Sequence, residues 1–391
     1  MSNAERQPRI VIIAGEHSGD LLGGQLMAAL KLNLGADISF SGVGGEAMGA
    51  QGLMSLFPLS DVAVMGPVAI LKRLPTLIKR VYAAVDGAVA ADPDVVVIID
   101  SPEFTHPIAK RIRKRLPDVP IIDYVSPSVW AWRPGRAKRM THYIDHVLAL
   151  LPFEPDAHAR LDGPDCTYVG HSLAERIDDI QSIDTNELAL KLKLDCDAPT
   201  LTVLPGSRRS EVDKLLEVFG ESLKLLAGKV GAINVIIPTV ASVRDVIEVG
   251  VRDWPCMPHI VEGDVDKFAS FRLSDAALAA SGTVTLELAV AGTPMVVGYR
   301  VDPIAASLKW LVTVSSFVLP NLVIGRNAIP EYILDDCTPE NLSLALEGLL
   351  IDPEVRDAQV LALQEVQSRL RLDYGTPSER AAKIVLGFIE K

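Results

Sequence analysis

What most constrains this 391-residue chain is a rhythm. Short runs of apolar residues recur along it, each followed by a longer segment with helical periodicity. A first series lies at residues 10–14, 38–43, 95–99, 121–125 and 147–151, and a second at 201–204, 235–237, 276–280 and 295–297. A strand that is apolar on both faces must be covered on both faces, and the intervening helices supply the cover; this is the signature of parallel sheets. Two such series in a chain too long for one core predict an α/β protein of two doubly wound, Rossmann-like domains facing a cleft. The polar stretch at 174–199 reads as the hinge. The expected divisions are residues 1–185, 186–338 and 339–391. The last is a run of helices that either crosses back to the first domain or is exchanged with a partner chain, opened by Thr338-Pro339 and again by Thr376-Pro377, each a cap followed by a first-turn proline.

Charge and cysteine usage exclude several classes. The net charge of −12 argues against a general nucleic-acid binder. Residues 304–318, the longest apolar candidate, are interrupted by Lys309 and serines, so no run reaches bilayer-spanning length. Residues 10–14 are only strand length and lead into a glycine-rich loop, so no signal peptide is expected. Cys166, Cys196, Cys256 and Cys337 are scattered without a CxxC pair, which indicates neither a zinc site nor a disulfide framework and fits a reducing cytoplasm. The basic charge is uneven. Residues 104–140 hold nine Lys or Arg against two Asp. Such a stretch is either a set of solvated helix faces or a surface for phosphates or an anionic membrane.

In doubly wound sheets ligands bind beyond the carboxyl ends of the strands, so the chemistry belongs in the loops that follow the apolar runs. After the first run comes "GEHSGDLLGG". Gly15 and Gly19 permit a tight turn, and Glu16, His17, Ser18 and Asp20 crowd the start of a helix, a place to cradle an anionic or sugar ligand or simply a capped turn. It is neither GxGxxG nor a Walker A loop. "GVGGEAMGAQG" is a second glycine turn, whose glycines need only allow close packing. After the third run, Asp100-Ser101-Pro102-Glu103 puts a carboxylate at the end of a buried strand, where it is a candidate general base or a helix cap. "SPSVWAWRPGR" forms a rigid, partly aromatic wall in which one of Trp130 and Trp132 is core and the other faces a ligand.

The second series has its own loops. "LPGSRRSEV" places Ser207, Arg208 and Arg209 between a strand and a helix N-terminus, where guanidinium forks match diphosphate oxygens and the helix dipole assists. The bland alternative is a surface pair between an arginine and Glu211. "ASGTVTLELA" opens a helix with Ser281, Gly282 and Thr283, and Glu287 lies one turn along, placed to accept hydrogen bonds from ribose hydroxyls. Together these describe a nucleotide-diphosphate pocket. Three D-x-D triplets, at 92–94, 195–197 and 264–266, precede elements rather than follow strands and read as turn and cap residues, so no metal and no cofactor are expected. His17 and His171 follow glycine turns and are candidates for ligand contact; the other histidines read as structural.

Taken in order, "AGEHSGDLLGGQL", "GVGGEAM", "VMG", "IDSPEF", "YVSPSVWAWRPGR", "LPFEPD", "VGHSLAE", "LPGSRRSEV", "ASGTVTLELA", "TPMVVGYRV" and "LPNLVIGR" resemble the lipid-A-disaccharide synthase family over residues 14–326. The resemblance implies a GT-B glycosyltransferase that joins UDP-2,3-diacylglucosamine to 2,3-diacylglucosamine 1-phosphate, giving the lipid A disaccharide 1-phosphate and UDP with inversion. It implies Asp100 as the essential carboxylate and Arg208 as a phosphate ligand. Glu287 becomes the ribose acid, and Asn321 of "LPN" a donor-site residue. The acceptor side would be built from Glu16, Ser18, Gly19, Glu103 and Trp130. Since the family often has a small residue where this chain has His17, Asp100 is the preferred base.

Acylated substrates require contact with a membrane without crossing it. "VMGPVAILKRLPTLIKRV" suits that: Val68, Leu71, Leu74, Leu77 and Ile78 alternate with Lys72, Arg73, Lys79 and Arg80, an interfacial pattern as well as that of an ordinary amphipathic core helix, with Pro75 expected to break or kink it. The expected partners are therefore the two lipid substrates and the inner-membrane surface, at its cytoplasmic face, with a second copy of the chain as a candidate. Two other readings keep the architecture: a soluble UDP-N-acetylglucosamine transferase or 2-epimerase, and a UDP-sugar-binding regulatory protein, which would have no need of Asp100.

Overall fold

The computed structural model describes residues 7–34, 38–63, 67–300 and 314–389, with side chains in the helix at 67–72 left aside. Among the described residues, the strands form two six-stranded sheets, parallel throughout. The contacts divide the chain into two compact units. One holds the chain up to His171 together with Leu372 onward, and the other is Ser172–Arg371.

The first unit contains β1 (Arg9–Ala14), β2 (Ser39–Val43), β3 (Val95–Ile99), β4 (Ile121–Tyr124), β5 (His146–Ala149) and β6 (Asp165–Tyr168), ordered β2-β1-β3-β4-β5-β6. β3 is buried at every position because helices cover both of its faces. One layer packs Val81, Val85 and Ile108 of the helices Pro67–Ala90 and Pro102–Arg115 on Val96 and Ile98. The other packs Leu26, Met27 and Leu30 of the helix His17–Leu34 on Val95, Val97 and Ile99. Ala381, Ala382 and Val385 of the last helix, Pro377–Ile389, join that second layer. Asp20 ties the layers' loops together: its buried carboxylate accepts the backbone N–H groups of Gly45 at 2.6 Å, Ala47 at 2.9 Å and Met48 at 3.1 Å. The second glycine turn therefore exists to bring backbone against a carboxylate, since a Cβ on Gly45 would lie 2.7 Å from Asp20 Oδ2.

The second unit contains β7 (Thr200–Leu204), β8 (Asn234–Thr239), β9 (His259–Glu262), β10 (Ala276–Ala279), β11 (Met295–Tyr299) and β12 (Glu331–Ile333), ordered β12-β11-β10-β7-β8-β9. The helices Arg209–Val230 and Pro339–Ile351 cover one face of β7 and β10 through Leu215, Phe219, Leu342 and Leu346.

The expected boundary at 185/186 falls inside the second unit, because Ile177 and Ile180 are buried where the helix Ile177–Gln181 meets the helix Val284–Ala291. Within residues 339–391, the helices Pro339–Ile351 and Pro353–Leu370 belong to the second unit, while Pro377–Ile389 crosses back to the first, one of the two courses expected for the end of the chain. The helix Pro67–Ala90 runs through Pro75 rather than ending there. On it, Leu77 is half-buried against the core, whereas Leu74 and Ile78 are 45% and 50% exposed. The side chains of Val68 and Leu71 lie outside the described residues, as does most of the 304–318 stretch. No helix among the described residues is long and apolar enough to cross a membrane.

Replacing Asp20 with Ala strands three backbone donors in a buried turn, and at roughly 1 kcal/mol or more for each buried donor left unpaired the variant is expected to lose about 3 kcal/mol of stability. Asp20→Asn, which keeps one acceptor oxygen, is expected to lose less. Urea unfolding followed by near-UV circular dichroism checks both; equal midpoints for wild type and Asp20→Ala would show that the turn closes without the carboxylate.

Candidate functional site

Strand order reverses once in each sheet, at β1/β3 and at β7/β10, and the loops leaving those pairs diverge to opposite faces and open a crevice. Ala14 pairs with Ile99, so the β1 loop and the β3 loop leave the first sheet side by side. Asp100 and Ser101 both take left-handed backbone angles, φ 54° and 46°. Two consecutive non-glycine residues there are strained and must be held by their surroundings. The Asp100 N–H donates to Tyr124 O at 3.0 Å, and Thr105 Oγ1 donates to Asp100 O at 2.8 Å. The carboxylate is aimed by two donors, Ser101 N at 2.7 Å and Ser18 Oγ at 3.1 Å. Glycine is required opposite at position 15, where a Cβ would sit 2.4 Å from Ser101 Cβ, and one on Gly19 would crowd Ile99 O at 3.2 Å. The structure thus brings Ser18, Gly19 and Asp100 together. Glu16 is half-buried in the same loop, and His17 points to solvent.

The aromatic wall assigns its tryptophans. Trp130 donates its indole N–H to Glu154 Oε1 at 3.1 Å and meets Phe153 edge-on at 5.1 Å. Glu154 is buried and also accepts the N–H groups of Leu150 at 3.1 Å and Leu151 at 2.9 Å. Burial pushes its carboxyl up to about 7, against the pull of those hydrogen bonds. Glu154 was not singled out in the sequence, although "LPFEPD" placed it directly after a strand. Trp132 is the more exposed of the pair, with the Arg133 guanidinium 4.0 Å from its ring centroid. Glu103 stands in solvent and accepts from Arg136 at 2.6 Å. Two of the other histidines are structural: His106 bridges the Tyr143 hydroxyl at 3.0 Å and Asp123 at 3.1 Å in the core, and His146 meets Thr167.

In the second unit Ala279 pairs with Leu204, and a cavity of about 530 Å³ opens beyond the pair. Gly206, Ser207 and Arg208 line it from β7, Thr239 from β8, and Ser281, Gly282 and Thr283 from β10. Arg208 is largely exposed and its Nη1 donates to Glu211 Oε1 at 2.9 Å, so the surface pair weighed as the bland alternative is present. Gly206, at φ 120°, leaves room for that glutamate, since a Cβ there would be 2.8 Å from Glu211 Cβ. Glu287 lines the cavity and accepts from Lys267 Nζ at 3.1 Å, which also reaches Asp264 Oδ1 at 3.2 Å and lies over the Phe268 ring at 4.5 Å. Lys267 is a cavity residue that sequence reasoning missed, because it follows a D-x-D triplet read only as a cap. Of the other triplets, Asp195 accepts the N–H of Asp197 at 3.0 Å within its own turn, whereas Asp94 accepts that of Arg9 at 2.7 Å, across to the start of β1.

Two residues expected on the donor side stand apart from this cavity. Arg209 does not line this cavity; it turns to the other side of its helix, 3.7 Å from Asp245. Asn321 is a buried bracket: Nδ2 donates to Ser316 Oγ at 3.2 Å and Ile329 O at 2.9 Å, while Oδ1 accepts from Ala328 N at 3.0 Å and Ile329 N at 2.9 Å. With both ends of its amide engaged, its side chain serves the loop fold rather than a ligand.

The comparisons agree with this geometry. The family described as Lipid-A-disaccharide synthetase matches residues 10–385. The lipid-A-disaccharide synthase of Rhodopseudomonas palustris (strain HaA2) is 49% identical over 384 residues, covering 98% of this chain and 97% of its own. That of Bradyrhizobium diazoefficiens is 45% identical over 392 residues, covering 100% and 99%. Among solved structures, a UDP-GlcNAc 2-epimerase from Neisseria meningitidis bound to UDP-GlcNAc superposes with a TM-score of 0.63 at 12% identity, over 98% of this chain and 99% of that one. MurG of Acinetobacter baumannii gives 0.59 at 14% identity, over 97% and 99%. At such identities these two structures establish the two-domain Rossmann-like architecture alone, while the sequence matches, spanning both crevices and nearly every residue of the relatives, establish that the chain belongs to the lipid-A-disaccharide synthase family.

Proposed function

We propose that the chain joins UDP-2,3-diacylglucosamine to 2,3-diacylglucosamine 1-phosphate with inversion, and that Asp100 is the base. Membership of the family makes it a glycosyltransferase of lipid A disaccharide synthesis. The observation that carries the residue-level reading is the strained, doubly hydrogen-bonded Asp100 at the β1/β3 switch point. A binding protein has no use for a carboxylate held in so costly a conformation.

In the reaction the acceptor 6-hydroxyl attacks the anomeric carbon of the donor on the face opposite UDP. The new C–O bond forms as the bond to the diphosphate breaks, and Asp100 takes the hydroxyl proton. Ser18 keeps one lobe of the carboxylate turned toward the loop, and the exposed hydroxyl also offers a contact to the sugar. Negative charge grows on the leaving diphosphate. Arg208 and the N-terminal end of the helix Val284–Ala291, next to Ser281, Gly282 and Thr283, stabilise it. Glu287, oriented by Lys267, takes the ribose hydroxyls. Trp130 is held by Glu154 as a rigid wall on the acceptor side.

The enzyme reaches its acylated substrates at the cytoplasmic face of the inner membrane. Leu74 and Ile78, one turn apart and exposed beside Arg73 and Lys79, form an apolar spot with a basic fringe that suits the headgroup boundary.

Purified protein with both lipid substrates in detergent is expected to release UDP and disaccharide. Asp100→Asn is expected to lower kcat by about 100-fold or more, the usual worth of a general base, with UDP affinity unchanged. Full turnover by this variant would remove Asp100 from the chemistry.

Arg208→Ala is expected to weaken UDP binding by roughly tenfold, the loss of one charge-assisted contact, and Arg209→Ala by less than about twofold. Isothermal titration with UDP measures both, and equal losses would mean that the two arginines share the diphosphate.

Leu74→Ser with Ile78→Ser is expected to cut sedimentation with anionic phospholipid vesicles severalfold, at unchanged turnover of detergent-dispersed substrate. Undiminished vesicle binding would place the membrane contact elsewhere.

A further inference from the structure

The basic stretch 104–140 is not uniformly solvated. Several of its cations are spent on scaffolding. Arg113 donates to the carbonyls of Pro117 at 2.6 Å and Val119 at 3.0 Å and pairs with Asp145. Arg115 pairs with Asp86, Lys138 with Asp162, and Arg111 donates to Pro107 O while lying over the Tyr82 ring. Of the five others, four share one neighbourhood, and Lys114 stands apart from them. Glu103 and Lys110 lie seven residues apart, two turns along one face of the helix Pro102–Arg115. Arg136 and Arg139 lie three apart on the helix Gly135–Met140, and Arg133 directly precedes it.

Their one carboxylate partner is Glu103. Arg136 reaches it at 2.6 Å, and Arg133 stands 3.9 Å away. Lys110 lies over the Tyr143 ring at 4.9 Å, and Arg139 Nε donates to Gly135 O at 3.1 Å; the described contacts give neither of them an acid partner. Four positive charges around one negative charge is an unbalanced arrangement. The ammonium of Lys110 is held below the usual lysine range by burial first and then by repulsion from Arg136 and Arg139, against the attraction of Glu103. Arg136 is the fixed member, its side chain 17% exposed, whereas Glu103 is 74% exposed and free to swing away.

We infer that Lys110, Arg133, Arg136 and Arg139 form a phosphomonoester site for the acceptor's 1-phosphate, with Glu103 as the counter-ion that the phosphate displaces. This rests on the proposed reaction, and it deepens it by giving the acceptor's charged end a place. The chemistry matches. A phosphate monoester carries close to two negative charges at neutral pH, and guanidinium forks bind its oxygens in pairs. The site also adjoins the base, because Glu103 is in the first turn of the helix that follows Asp100. Glu103 thereby changes role, from a sugar ligand to the placeholder of an anion.

The test compares two acceptors, diacylglucosamine 1-phosphate and its dephosphorylated counterpart, in wild type and in Lys110→Met, Arg136→Gln, Arg139→Met and Glu103→Gln. Wild type is expected to prefer the phosphorylated acceptor by about 100-fold in kcat/KM. The three cation variants are expected to lower that preference by about tenfold each, through KM. Glu103→Gln is expected to do the opposite and lower the KM for the phosphorylated acceptor severalfold, since the phosphate no longer has a carboxylate to displace. A preference that none of the variants alters, or a rise in KM for Glu103→Gln, overturns the site. Lys110 and Arg139 are exposed, so their variants decide the matter if Arg136→Gln fails to fold. A direct arm titrates glucosamine 1-phosphate, with glucosamine as the control, into wild type and variants. Binding of the phosphate form that the cation variants lose supports the site even if wild type turns over neither acceptor, an outcome that would sink the proposed reaction alone. Vesicles of phosphatidylcholine with and without phosphatidylglycerol separate the remaining source of phosphate. Loss of anionic-vesicle binding with an intact acceptor preference would assign the cluster to lipid headgroups and overturn the proposal.

Discussion

All strands in each sheet run the same way, and this shared polarity is the constraint from which the rest follows. Every strand then leaves its sheet at the same edge, and the crossover helices must lie on the two faces. Where the order reverses, at β1/β3 and β7/β10, neighbouring loops turn to opposite faces, and the gap between them is a concavity that needs no further design. The sequence around each gap is shaped by close approach. Gly15 and Gly19 keep the β1 loop within reach of Ser101 and Ile99, and Gly206 makes room for Glu211. Without those glycines the loops could not lie close enough for Ser18 to touch Asp100 or for the turn after β7 to fold back on its own helix.

How legible this was in the sequence depended on burial. The strands at the middle of each sheet were readable because both faces are apolar; β3 and β7 are buried at every position. The strands that went unread, β6, β9 and β12, are all sheet edges with mixed polarity, such as "DCTY" and "HIVE", and nothing in period or composition separates them from loops. Candidate site residues followed the same logic. Asp100, Ser207, Arg208, Ser281, Gly282 and Thr283 sit directly after central strands, so position alone marked them. The motifs did not show that Arg209 lies away from the cavity or that Leu77 packs on the core, because adjacent residues on a helix point about 100° apart, a distinction that a motif read as a string does not carry. Asn321 illustrates a different limit: a polar residue in a motif can be consumed by the loop that carries it. Lys267 and Glu154 were invisible for the opposite reason, since their importance lies in partners distant in sequence, Glu287 and Trp130.

The charged groups of the candidate sites share one arrangement, in which each key residue already has a partner. Arg208 holds Glu211, Lys267 holds Glu287, and Arg136 holds Glu103. Such pairs at or near the surface are worth about 0–1 kcal/mol, because water screens them and long side chains lose freedom to form them. A phosphate offers more, about 1.5–3 kcal/mol for a hydrogen bond to a charged group, with two or three oxygens to share. Exchange of a carboxylate for a phosphate is therefore downhill by an amount that survives the loss of the original pair. The pairs also do something that bare cations would not: they hold each guanidinium or ammonium near its working position and lower the local field that would otherwise attract any passing anion. Lys267 differs from the other two, because Glu287 is itself the group expected to meet the ligand. There the lysine need not leave: one carboxylate oxygen can stay on Nζ while the other accepts from the ribose. Asp100 is different again, because it has no cation partner among the described contacts and is aimed by neutral donors, Ser18 and the Ser101 N–H. A base must give its lone pair to a proton during the reaction, and a salt bridge would lower its basicity as well as hold it still. Backbone strain and two neutral hydrogen bonds fix its direction without a charged partner.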